Sequence, residues 1–170
     1  MRMHGLVHFI HGKESGTSGG KIAALATVAR SRQWNVASLN YSHTMHPTVR
    51  LEQLLRACAD VRTALLVVGS SMGGWFAAEA AGRLDACGVF LLAPADFIPT
   101  YPTQDPHVPA GRTEIVHSWD DEVIRTRTRS GSRVCASAPG TWCAATIASQ
   151  PAFSCCASYS TPFYCAGRAG

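Results

Sequence analysis

Past Glu122 the sequence has no acidic residue, and past His117 no histidine, in a chain of 170 residues. Charged residues are scarce at 15% and aromatics at 8%. No apolar run approaches the roughly 20 residues a membrane-spanning helix needs, which excludes an integral membrane helix. None of the seven cysteines forms a C-x-x-C pair, so neither a zinc ribbon nor a dithiol redox site is indicated. There is no internal repeat. The opening Met1-Arg2-Met3-His4-Gly5 has one basic residue and leads directly into an apolar stretch, unlike a secretory signal, so a cytoplasmic location is expected.

What is present falls into two compositions. With 46% hydrophobic residues, the chain is long enough to bury a core of its own. The net charge of +4 is unevenly spread: from Arg125 onward there are five arginines and no acid, so the part before it is slightly acidic. Five of the cysteines (Cys135, Cys143, Cys155, Cys156 and Cys165) fall in the same final stretch, which is rich in Ser, Ala and Thr and has no hydrophobic period. Residues 1–124 therefore read as the core. Residues 125–170 read as an Arg/Ser/Cys-rich tail that is expected to be disordered or loosely packed. The tail cysteines, at spacings of 8, 12, 1 and 9, read as incidental. The tail arginines lack the interleaved aromatics of a nucleic-acid surface, so no nucleic-acid partner is expected.

Within 1–124, short apolar runs alternate with segments of helical period. Strands are predicted at 6–10, 34–39, 64–68, 88–92 and 113–117. Helices are predicted at 21–32, with Ile22, Leu25, Ala26 and Ala29 on one face, and at 48–61, with Val49, Leu51, Leu54, Leu55 and Cys58 at helical spacing. A proline-rich loop spans 93–111. Such alternation implies a mostly parallel sheet in a three-layer α/β/α sandwich, with chemistry at the carboxyl ends of the strands. Three motifs sit at such ends: His11-Gly12, Ser71 and Asp121.

The most informative stretch is 63–81, TALLVVGSSMGGWFAAEAA. Gly69-Ser70-Ser71-Met72-Gly73 fits G-x-S-x-G between a buried strand and a helix of small residues, the setting of a nucleophile elbow. The flanking glycines remove Cβ atoms that would clash in so tight a turn. The helix that follows aims free N–H groups and its positive dipole end at an oxyanion formed near Ser71.

The order HG after the first strand, GSSMGG after the central strand and HSWDDEVI after a late strand resembles the α/β-hydrolase superfamily. HGKESGTSGGKI and LVVGSSMGGW resemble small bacterial esterase-like members without a large cap domain. The likeness covers about residues 4–124. It implies Ser71 as nucleophile, the backbone N–H groups of Met72 and Lys13 as oxyanion hole, and Asp121 as triad acid, because the family's G-x-x-D maps onto Ser118-Trp119-Asp120-Asp121. Ser118 departs from the usual glycine. The resemblance implies a small ester or thioester as substrate, with no cofactor and no metal; oligomeric state is not legible.

The family's triad order is Ser, acid, His, and within these residues no histidine follows Asp121. The sheet is therefore expected to be incomplete at its C-terminal side. A one-base shift in reading frame after Ile124 accounts for both the composition break and the missing histidine. Read one base back, the codons for 127–134 permit Ala-Asn-Ser-Ile-Arg-Phe-Ala-Arg, and those for 140–147 permit His-Leu-Val-Arg-Gly-Asp-His-Arg. The alternative is a genuinely divergent tail on a catalytically impaired relative of the family.

The remaining candidates have plainer readings. His11 shapes the oxyanion loop more naturally than it serves as a base. His4 and His8 alternate on a strand and read as structural. His43 and His46 lack a third metal ligand nearby. His107, in the Pro-rich loop, is a surrogate base only if that loop leans over Ser71. His117 is badly placed to bridge Asp121 and Ser71. Asp120 is a fallback acid, Asp96 a weaker one, and Glu122 reads as solvent-facing. Gly20-Lys21 is no phosphate loop, since Ser15 and Ile22 stand where a glycine and a hydroxyl are required.

Overall fold

The computed structural model describes residues 4–13, 17, 19–96, 98–104, 106–108, 113–118 and 133–137. In chain order the elements are β1 (Gly5–Ile10), α1 (Gly20–Ser31), β2 (Asn35–Ser38), α2 (Pro47–Cys58), β3 (Ala64–Ser70), α3 (Met72–Arg83), β4 (Gly88–Leu92), β5 (Thr113–Ser118) and β6 (Arg133–Ser137). The strands form one sheet in the order β2-β1-β3-β4-β5-β6, every neighbouring pair parallel. The expected parallel α/β architecture is present, with each predicted element displaced by at most a few residues at its ends.

Side chains on a strand alternate faces, and the sheet uses both. Val7, Phe9, Leu66, Val68, Phe90, Leu92 and Val116 point to one side, where Ile22, Leu25, Ala26 and Ala29 of α1 cover them. Ile10, Leu65, Val67, Val89, Leu91 and Ile115 point to the other, under α2 and α3. Near-continuous apolar strands are what two covered faces require. Each fully buried Leu, Val or Phe contributes about 1.5–3 kcal/mol.

The crossover sense sets the layers. The chain steps outward from β1 to β2 through α1 and back across to β3 through α2, so these helices lie on opposite faces. Pro47 at the first turn of α2 fixes a helical φ where no amide donor is needed. In α2 the buried stripe is Arg50, Leu51, Leu54 and Cys58, and Val49 is 45% exposed. The apolar spacing had placed Val49 with the buried residues. The helix is instead rotated so that an arginine one position later takes the inward place.

The sixth strand, Arg133–Ser137, lies in the tail and pairs with β5 from Glu114↔Arg133 to Ser118↔Ser137. Composition gave no sign of it. A parallel edge leaves a row of backbone N–H and C=O groups to be satisfied, and a five-residue segment does so whatever its side chains. Asp120, Asp121 and Glu122, and the segments proposed to be frame-shifted apart from Arg133 and Val134, lie outside the described residues. Among the described residues no helix is long and apolar enough to cross a membrane.

Candidate active site

The β3–α3 junction is built by close approach. A Cβ at Gly69 would collide with the Gly73 carbonyl oxygen in the first turn of α3. A Cβ at Gly73 would strike the Ile10 carbonyl oxygen and lie 2.8 Å from that of His11. Both glycines of G-x-S-x-G are thus fixed by backbone contact, one between strand and helix, the other between helix and the end of β1.

Between them Ser71 has φ 53° and ψ −124°, a conformation an L side chain rarely adopts. Three hydrogen bonds hold it. Its N–H donates to Leu92 O at 2.9 Å, and its carbonyl accepts from Gly74 N at 2.8 Å and from Ala95 N at 3.0 Å. Strain of this kind costs about 1–3 kcal/mol and persists only where surrounding contacts over-determine it. Here the ends of β3 and β4 do so. The turn sets Ser71, half-buried, at the carboxyl edge of the sheet immediately before α3. Met72, buried, opens that helix, where N–H groups have no carbonyl a turn behind them.

The end of β1 lies directly against the serine. A Cβ on Gly12 would come within 3.1 Å of Ser71 Cβ and 3.2 Å of Ser70 O, so a larger residue there would press on the serine by a few tenths of an ångström. His11, 1% exposed, fixes the same loop from behind. Its Nδ1 is 2.7 Å from Gly12 O and its Nε2 accepts from Tyr41 N–H at 3.0 Å. An acceptor at Nε2 means that Nδ1 carries the proton and donates to Gly12 O. Both ring nitrogens are committed to backbone, so His11 shapes the loop and offers no lone pair to Ser71. Lys13 follows with its side chain exposed.

The loop after β4 folds back over α3. Ala93, at φ 44°, donates from N–H to Val116 O at 2.8 Å. Trp75 Nε1 donates to Thr103 O at 2.7 Å, and the Trp75 and Tyr101 rings meet at 4.9 Å. Asp96 comes one residue after Ala95, whose N–H is bound to Ser71 O, which places this weaker acid candidate near the elbow. His107 is exposed on this loop, and His43 and His46 are exposed before and at the start of α2. Of His117 only the backbone, in β5, is described.

Other polar groups lie deeper. His8, inside β1, is 2% exposed, its Nδ1 3.5 Å from Cys58 Sγ, and burial pushes its pKa down to about 4. Burial pushes the Cys58 thiol up. Both are core groups remote from any nucleophilic task. Tyr41 and Arg50 are fully buried. Neither was singled out from sequence; the one available signal was an arginine at i, i+4 and i+8 with Leu54 and Cys58.

No family model and no curated protein matches the sequence. Solved structures match its shape. A protein of the α/β hydrolase superfamily from Xanthomonas campestris pv. campestris superposes with a TM-score of 0.78 at 23% identity, over 92% of this chain and 99% of that one. An α/β serine hydrolase without lid from Xanthomonas campestris gives 0.65 at 15% identity, over 81% and 73%. Est1E from Butyrivibrio proteoclasticus gives 0.64 at 17% identity, over 86% and 84%. The chain has the α/β-hydrolase fold.

Proposed function

We propose that the chain is a serine hydrolase acting on a small ester or thioester, with Ser71 as nucleophile. The observation that carries this reading is the strained backbone of Ser71 on a strand-to-helix turn at the carboxyl edge of the sheet, with Gly12 packed against it. Strain held at one serine by three backbone hydrogen bonds is characteristic of functional sites, and in a G-x-S-x-G turn it serves to present Oγ. Ser71 Oγ attacks the carbonyl carbon, and the N–H groups of Met72 and Lys13 hold the developing oxyanion. In the family's order Asp121 orients a histidine that accepts the serine proton and returns it to the leaving group; these 170 residues hold no histidine after Asp121, so in this chain water is left to take that proton. The reaction requires no cofactor and takes place in the cytoplasm.

A second reading is favoured by one observation: no histidine follows Asp121 in these 170 residues, and both ring nitrogens of His11 are in use. The chain would then keep the elbow and turn over feebly. Loss of a triad member costs several orders of magnitude, while the oxyanion hole retains some rate. The test is p-nitrophenyl acetate turnover by this chain and by Ser71→Ala. A slow rate that falls further in the variant is expected. Equal rates would remove Ser71 as nucleophile. Fast turnover abolished by the substitution would contradict the impaired reading and point to a surrogate base such as His107.

A further inference from the structure

Arg50 is fully buried in the first turns of α2, yet no carboxylate among the described residues pairs with it. Its Nε donates to Thr44 O at 2.5 Å, its Nη2 meets only Met45 Sδ at 3.2 Å, and its buried Nη1 has no partner. The hydroxyl of Tyr41, also fully buried, has no partner either. The two residues share one turn: Thr44, whose carbonyl accepts from Arg50 Nε, donates its N–H to Tyr41 O at 3.4 Å. The guanidinium charge acts on the Tyr41 hydroxyl and on that of Tyr101 in the loop after β4, which also faces the Asp96 carboxylate. Among the described residues this buried cation has no counter-charge, a destabilising arrangement that an anion arriving from outside would relieve.

The position of the pair ties it to the candidate active site. Tyr41 N–H holds His11, the two rings are 5.5 Å apart, and Gly12 next along the chain lies against Ser71. Tyr101 meets Trp75 edge to face, in the first turn of the helix that follows Ser71. Met45, whose sulfur meets Nη2, is itself 47% exposed. A thioether sulfur is a weak acceptor. A carboxylate that displaced it would take Nη1 and Nη2 together and leave an oxygen lone pair for the Tyr41 hydroxyl.

We propose that Arg50 and Tyr41 form a subsite for a carboxylate carried by the substrate, so that the ester cleaved at Ser71 is a half-ester of a short dicarboxylic acid. The proposal rests on the hydrolase reading of Ser71 for its substrate and on the guanidinium alone for its charge. Two fixed donors at Nη1 and Nη2 plus one hydroxyl match a planar carboxylate better than a phosphate, whose extra oxygens would stay unpaired.

Calorimetric titration with monomethyl glutarate, dimethyl glutarate and inorganic phosphate tests it. The charged half-ester should bind at least about tenfold tighter than the neutral diester, the scale of one charge-assisted bidentate contact. Arg50→Met should erase that preference. Tyr41→Phe, which removes a hydroxyl with no partner among the described residues, should reduce it several-fold. Equal affinity for the two esters, or a preference that survives both substitutions, would overturn the subsite and make Arg50 a structural group. Phosphate binding as tightly as the half-ester would overturn the carboxylate assignment. The p-nitrophenyl acetate comparison with Ser71→Ala is a separate readout: charge preference without Ser71-dependent turnover supports the subsite and removes the nucleophile.

Discussion

Helix α3 contains two glycines for which the same substitution should have opposite effects. Gly73 sits in its first turn, where a Cβ would meet the Ile10 carbonyl oxygen at under contact distance and the His11 carbonyl oxygen at 2.8 Å, short of ordinary contact by about 0.6 Å. Those atoms are backbone at the end of a central strand and cannot rotate aside. Gly73→Ala must therefore push α3 off β1, and overpacking against rigid neighbours costs about 3 kcal/mol. Gly82 lies near the other end of the helix, where an added Cβ meets nothing within 4 Å. There alanine removes unfolded-state entropy and should stabilise by about 0.5–1 kcal/mol. Urea unfolding of the two variants should give midpoints separated by roughly 2 M at ordinary slopes for this size. The Gly73 variant should also lose activity, because the displaced backbone leads into Gly12 and Lys13. Coincident midpoints would refute the close-approach explanation of the turn at Ser71.

Ser71→Gly should be more stable than Ser71→Ala by about 1 kcal/mol, because glycine relieves the strain at φ 53° that alanine keeps; equal stabilities would mean no strain is stored there. His8 titrates near 4 when folded against 6.5 when unfolded, so the unfolded chain takes up the proton first. The stability it supports is complete above pH 6.5, falls by about 3 kcal/mol as pH drops toward 4 and is flat below. Urea unfolding at pH 7 and 4.5 should show this loss in the native chain and much less of it in His8→Leu, whereas parallel losses would assign it to other groups. A gene read one base back after Ile124 should encode an Asp-His pair near positions 145 and 146. Its product should hydrolyse p-nitrophenyl acetate faster by about 10³ or more. Stop codons before that point would end the frame-shift explanation.

The sheet was legible because both of its faces are covered. Leu65/Val67 and Leu66/Val68 serve opposite layers, so β3 appears in the sequence as one unbroken apolar run. The tight strand-to-helix turn was legible for a related reason, since only glycine tolerates the approaches at 69 and 73. What escaped was carried by backbone atoms or by unexpected burial. The acceptors that hold the loop after β4 and its fold over Trp75 are carbonyls, at Val116 and Thr103, which leave no residue signature. Arg50 was hidden because a guanidinium on a helix reads as a solvent-facing group, and Val49 beside it offered a more apolar choice. The tail strand pairs with β5 by backbone register, which its arginine and cysteine content did not signal.

The most direct measurement is covalent capture by a fluorophosphonate, followed by peptide mass mapping. If Ser71 is held as an activated nucleophile over an oxyanion hole, the reagent should add one phosphonyl group, on the peptide containing Ser71. His11→Phe, which releases the Gly12 loop, should slow that addition. Because no triad histidine follows Asp121, the addition should be slow; labelling confined to other residues, or none at Ser71 even on prolonged exposure to excess reagent, would contradict the assignment of Ser71.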